Sequence, residues 1–226
     1  MAHMARPPSG SDAPPVSALA HHPRRGPWGQ PAGRTGWEAR MPIAGGQIRT
    51  PRLVLEPISW RDMDDMARLK ADAGAFGMML GGIRSRQQAE SDMADDLACW
   101  ARRGVGIFAI REDGRFIGMT GLHERPDGRG LGLRFALWPW AAGRGLAREA
   151  ASAVLSFAHD AGIRRVIAVT RDTNIASRTI LGGIGMTECG SFARDGHLML
   201  VYESVRDTAR DPLPPLPPRR PVRLPE

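Results

Sequence analysis

Apolar positions along this chain follow two periods, and the switches between them mark out the elements. From Gly106 the sequence runs GIFAIR, breaks at Glu112-Asp113-Gly114, and resumes as RFIGMTGL. Short apolar runs joined by an Asp-Gly turn predict two hairpin strands, 106–111 and 115–122. A second turn at Pro126-Asp127-Gly128 leads to a third strand over 130–137. After Gly145 the pattern becomes Ala-rich and helical for about five turns, to the neighbourhood of Gly162. Residues 165–170 then read as a short strand, and Thr173 or Asn174 opens a helix that ends near Gly185. Strands follow over 187–193 and 197–203, around a turn at Asp195-Gly196. Upstream, residues 52–56 predict a strand. Ser59 caps a helix that carries Asp62 in its first turn and reaches Lys70, and Ser85 caps a helix over 86–102. Between those helices lies a Gly- and Met-rich stretch, 74–82. The order β-α-α-β-β-β-α-β-α-β-β feeds an antiparallel meander into a β-α-β crossover. That predicts an α+β fold with a mixed sheet.

The pattern stops at both ends. Residues 1–44 are dense in Pro, Gly and Ser, with no sustained periodicity, and are expected to form a disordered extension. Residues 208–226 include PLPPLPPRRP, which favours extended polyproline II: a disordered tail, or loosely an SH3-domain ligand. Residues 45–207 are then one domain of ordinary size, within a chain of 226 residues that is 42% apolar.

Charge and cysteine content narrow the function classes. The net charge of +7 comes almost wholly from arginine, Lys70 being the only lysine. The basic residues are scattered, with no block of five or six, so a nucleic-acid partner is not expected. Cys99 and Cys189 lie far apart and match no metal spacing, and His3, His21 and His22 have no supporting ligand nearby. Reduced thiols, a cytoplasmic setting and no metal are the expectation. No run of about 18 apolar residues predicts a membrane span, and the N-terminus lacks the apolar core of a signal peptide.

The chemistry concentrates in WPWAAGRGLAREA, Trp138 to Ala150. Gly143 and Gly145 stand between a strand and a helix N-terminus. A phosphate loop of the Walker type would need Gly-Lys followed by Ser or Thr, but Gly145 is followed by Leu146. A dinucleotide fingerprint would need Gly or Ala where Arg148 sits, and a parallel βαβ start. What survives is either a packed turn or a set of bare amides with a helix dipole behind them, suited to a pyrophosphate.

Several segments together resemble the GNAT superfamily of N-acetyltransferases, near the branch that acetylates ribosomal-protein N-termini. IRTPRLVLEP is similar to that branch's first strand, GRFIGMTGL to its third, and LRFALWPWAAGRGLAREA to its acetyl-CoA strand and loop. The loop pattern falls on Trp140, Gly143 and Gly145. Asn174 and Ser177, followed by Ile184-Gly185-Met186, match a later helix and its close. The likeness covers about residues 48–206. Three features depart from it: Trp140 in place of Arg or Gln, Ala142 where many relatives have Trp, and Gly182-Gly183 in a helix they should weaken by about 1 kcal/mol each.

The resemblance implies a mostly antiparallel sheet flanked by helices, with a central β-α-β unit that binds acetyl-CoA. It also implies transfer of an acetyl group to an amine by direct attack in a ternary complex. Phe135, Ala136 and Leu137 would pair with pantetheine, in a slot opened by splaying from Val166-Ile167-Ala168. Ala142, Gly143, Arg144, Gly145, Leu146 and Ala147 would hold the pyrophosphate, and Asn174 and Ser177 the pantetheine arm. Gly132 occupies the place of a glutamate that serves many relatives as base. Glu124 is the first candidate in its stead, His123 the second, and water the third. Tyr202 and Ser177 are candidates for the acid that protonates the leaving thiolate. The acceptor is a protein N-terminus or a small-molecule amine. The Met-rich stretch, apolar and placed where the family builds its acceptor wall, does not suit a strongly cationic one, and Asp92, Asp95 and Asp96 either line an entrance or form a solvated face. The protein is expected to act as a monomer or homodimer. The alternative function is a degenerate module that binds acyl-CoA or a partner without catalysis.

Overall fold

Two Asp-Gly turns set the local geometry of the sheet. Asp113 and Gly114 have φ of 49° and 78°, and Asp195 and Gly196 have 49° and 73°. Positive φ at both central residues gives the turn twist that matches two paired strands. In the computed structural model, which describes residues 46–206, these turns close β3 (Ile107–Glu112) onto β4 (Arg115–Glu124) and β7 (Thr187–Arg194) onto β8 (His197–Val205). The other strands are β1 (Ile48–Arg49), β2 (Val54–Pro57), β5 (Leu131–Leu137) and β6 (Arg165–Arg171). They form one eight-stranded sheet in the order β1-β2-β3-β4-β5-β6-β8-β7. Only the β5–β6 pair is parallel.

The helices are α1 (Met63–Ala71), α2 (Ala73–Phe76), α3 (Arg86–Arg103), α4 (Leu146–Asp160) and α5 (Ile175–Gly183). Their starts are local. Ser85 accepts from the Gln88 amide while Gln88 accepts from the Ser85 amide, and α3 ends at Gly104, φ 65°. The Asn174 side chain accepts from the Ser177 amide at 3.1 Å and so caps α5.

Two apolar clusters cover the two faces of the sheet. On one face α4 presents Leu146, Ala150, Ala151, Val154 and Ala158 to Phe108, Ile110, Leu122 and Leu133. Three small alanines let that helix lie close. On the other face Met66, Leu69 and Met93 meet Ile107, Ala109 and Met119. Each fully buried side chain of this size contributes about 1.5–3 kcal/mol.

The expected strand over 52–56 is corrected. Thr50 and Leu53 close a tight turn, with the Thr50 amide donating to the Leu53 carbonyl at 2.9 Å, so a two-residue β1 precedes a four-residue β2. The helix expected after Ser59 begins as a 3-10 turn, Trp60–Asp62. The Gly- and Met-rich stretch contains the short α2, capped by Asp72. Asp92 and Asp96 are not a solvated face. Lys70, with no exposed surface, lies 2.9 Å from Asp92 and 3.9 Å from Asp96. Asp95 alone of the three is exposed. The expectations for residues 1–44 and 208–226 and for His3, His21 and His22 lie outside the described residues.

Candidate active site

The sheet opens at its one parallel junction. β5 and β6 share a single paired position, Gly132 with Ile167, and part beyond it. A strand edge that loses its neighbour leaves N–H and C=O groups without ladder partners. The gap continues into a cavity lined on the strands by Leu133, Arg134 and Phe135 from β5 and by Ala168, Val169 and Thr170 from β6. Asn174, Ser177 and Leu181 of α5 close one side. Met78, Met79 and Leu80 close another, and His123 and Arg125 reach in from the end of β4. Its volume is about 90 Å³, room for a small head group.

Past the end of β5 the chain makes a 3-10 turn, Pro139–Ala141, and enters the glycine loop. Gly143 and Gly145 both have φ of 78°, in the left-handed region where a Cβ is strained. Ala142, Gly143, Arg144 and Gly145 are exposed, and a Cβ on Gly143 would meet nothing within 4 Å. Gly145 caps α4 without a side-chain bond. The first bond into the helix runs from the Glu149 amide to the Gly145 carbonyl, 3.1 Å. The amides of Leu146, Ala147 and Arg148 therefore have no acceptor within the helix. Bare amides, a helix dipole and open space fit an anion such as a pyrophosphate.

Ion pairs hold this loop from outside. Arg52 donates to Glu149 in the first turn of α4 at 2.7 Å and to the Arg144 carbonyl at 2.9 Å, and Thr50 donates to Glu149 at 2.6 Å. The Arg144 guanidinium is engaged with both oxygens of Glu112, at 2.8 and 2.6 Å. Its expected role as a charge on the phosphates would require leaving that carboxylate. Trp140, 47% exposed, carries the Arg115 guanidinium 4.0 Å above its ring.

His123 and Gly132 are cross-strand partners in the β4–β5 pair. A Cβ on Gly132 would lie 2.8 Å from His123 Cε1 and 3.0 Å from Arg125 Cγ. The space beside Gly132 is thus filled from the neighbouring strand. His123 Nδ1 lies 2.8 Å from the Gly132 carbonyl. A carbonyl only accepts, so Nδ1 holds the proton and Nε2 keeps its lone pair. Burial first, then the charges of Arg134 and Arg125, push the imidazolium pKa down to about 3. The ring is neutral at pH 7.

Glu124, the first-choice base, does not line the cavity. Arg102 and Arg103, at the end of α3, each donate to it at 2.7 Å. Those two bonds, Arg103 first, hold its carboxyl below the usual range, which opposes proton uptake. Tyr202 sits in the core beneath α4 and donates to Glu188 at 3.3 Å, outside the cavity lining. Ser177, Asn174 and Phe135 do line it. Ala136 faces α1 and α3 instead, and Leu137 pairs with Gly118 at the strand's end.

Arg125 and Arg134 were missed from sequence. Their one signal is alternation: Arg134 shares a strand face with Gly132, as Arg125 does with His123. Among the described residues no group of three or more His, Cys, Asp or Glu side chains could hold a metal ion, and no helix is long and apolar enough to cross a membrane.

A family model for the GNAT acetyltransferase domain matches residues 52–187. Among solved structures, a GNAT-family acetyltransferase from Bordetella pertussis is 25% identical at a TM-score of 0.62, over 70% of this chain and 98% of that one. An acetyltransferase from Agrobacterium tumefaciens strain C58 is also 25% identical, with a TM-score of 0.63, over 73% and 96%. A ribosomal α-N-protein acetyltransferase, solved in complex with coenzyme A, shares the fold at 16% identity and a TM-score of 0.59, over 70% and 97%.

Proposed function

The chain belongs to the GNAT acetyltransferase family, and from that premise we propose that the loop 142–147 holds the pyrophosphate of acetyl-CoA. The pantetheine arm then runs into the gap between β5 and β6, and the acceptor amine enters past Met78, Met79 and Leu80. The observation that carries this reading is the opening of β5 from β6 beside two left-handed glycines and a helix start without a side-chain cap.

Each chemical need then has a residue. The unpaired edge of β5 toward Leu137 offers backbone amides to pantetheine and to the thioester oxygen, where negative charge develops. The amine nitrogen bonds to the carbonyl carbon, the C–S bond breaks, the sulfur takes a proton and the amine gives one up. Ser177 lines the cavity wall beside Asn174, which supports it as the donor that would protonate the sulfur. His123 Nε2 accepts a hydrogen bond from the amine or an intervening water. With its pKa near 3 it does not retain the proton at neutral pH, so it orients the nucleophile and passes the proton to solvent. The positive field of Arg134 and Arg125, which depresses His123, equally disfavours a bound ammonium and so favours the neutral amine. The free thiols Cys99 and Cys189, with acetyl-CoA as co-substrate, support a cytoplasmic setting.

Gly143→Val should weaken coenzyme A binding at least about a hundredfold, because a branched side chain would stand over the loop and strain a φ of 78°. Titration calorimetry reads the affinity, and circular dichroism shows whether the fold persists. Unchanged affinity in a folded variant would remove the loop assignment, and thiol release from acetyl-CoA with primary amines tests the transfer itself.

A further inference from the structure

Resting on the acetyltransferase reading above, we propose that the acceptor is a free α-amino acid with an apolar side chain, its carboxylate held by Arg134. The cavity lining contains two guanidinium groups and no carboxylate. Arg134 reaches Asp96 through one nitrogen, Nη2, at 2.5 and 2.8 Å. Its Nε–H is buried and meets no acceptor among the described residues. An orphaned donor on a partly buried cation, its side chain 18% exposed, calls for an anionic oxygen, and a guanidinium fork takes a carboxylate best.

The surrounding charge does not cancel. Behind Arg134, the ion-paired group sets Lys70, Arg84 and Arg134 against Asp92 and Asp96. On the other side, Arg125 and Arg129 share the single carboxylate of Asp127. Each cluster carries one cation in excess, and both flank the cavity. Burial is the first cause of the depressed His123 pKa, and the charges of Arg134 and Arg125 add to it.

Connectivity selects an α-amino acid over other anions. Arg134 lies two residues along β5 from Gly132, whose cross-strand partner is His123. A carboxylate on Arg134 therefore brings an amine on the adjacent carbon toward His123 Nε2 and the gap where the thioester lies. Met78, Met79, Leu80 and Phe135 then meet the side chain. A polypeptide N-terminus lacks the α-carboxylate, and a polyamine adds a second cation to a positive cavity.

The test uses the full chain, acetyl-CoA and three amines matched in shape: L-methionine, L-methioninamide and 3-(methylthio)propylamine. Free thiol release gives kcat/KM for each. The acid should exceed both analogues about a hundredfold, the scale of losing a charge-assisted bidentate contact. Arg134→Gln should erase that preference at unchanged coenzyme A affinity, and Arg134→Lys should keep part of it. Arg134→Gln leaves Asp96 short of a partner and can unfold, but the wild-type ratio needs no variant. Equal or faster turnover of the amide or the decarboxylated amine overturns the proposal, as does a ratio indifferent to Arg134→Gln. Failure to acetylate the acid overturns it too. Coenzyme A calorimetry then separates a wrong acceptor, with binding intact, from failure of the acetyl-CoA reading.

Discussion

At the scale of single residues, the site turns on how neighbours set the protonation of His123. Folding lowers its pKa from the ordinary 6.5 to about 3. The unfolded chain therefore takes up a proton on this ring as pH falls below about 6.5, and the native chain does so only near 3. By linkage, the contribution to stability is present above the unfolded pKa and is lost as pH falls through that window. His123→Phe removes it, so between pH 6.5 and 4 its melting temperature should fall less steeply than that of the wild type. Identical slopes would mean that the ring titrates normally. Glu124 illustrates the limit of reading a single position. Its place at the end of β4 made it a plausible base, but the two arginines that neutralise it come from α3, some twenty residues earlier.

At the scale of elements, the turn between β1 and β2 acts as a strap across the glycine loop. Thr50, the Arg52 amide and the Arg52 guanidinium all converge on Glu149. A carboxylate in the first turn also suits the positive end of the helix dipole. Glu149→Ala frees the Arg52 side chain and the Arg144 carbonyl it holds. It should weaken coenzyme A about five- to tenfold, the scale of one hydrogen bond's net worth, without touching a group that meets the ligand. Calorimetry with full-length Glu149→Ala checks this. An unaltered affinity would show that the glycine conformations alone maintain the loop. The helix starts were open to reading because Ser85 and Asn174 cap within three residues of themselves. The two-residue β1 was not, since so short a strand has no periodicity and exists only by pairing with β2.

At the scale of the molecule, all eight strands and both apolar clusters lie between Ile48 and Val205. A chain cut to residues 45–207 is therefore expected to melt in one cooperative transition and to bind coenzyme A within about twofold of the full chain, as independent folding of a domain requires. Scanning calorimetry and titration of the two chains side by side check it. A broadened transition or a large loss of affinity would mean that the ends contribute to the domain.

The sequence by itself determined what depends on neighbours along the chain. The Asp-Gly turns, the caps, the hairpin strands and the glycine pair before α4 were all legible, because each is decided within a few residues by φ, by a capping side chain or by alternation. Tertiary structure alone decided what depends on residues far apart. It buried the chain's single lysine between Asp92 and Asp96, set Arg134 against Asp96, and moved His123 into the space left by Gly132. The physical reason is that a buried charge is stable only with partners, and those partners come from α1, α3, β4 and β5, which meet only once the sheet has formed.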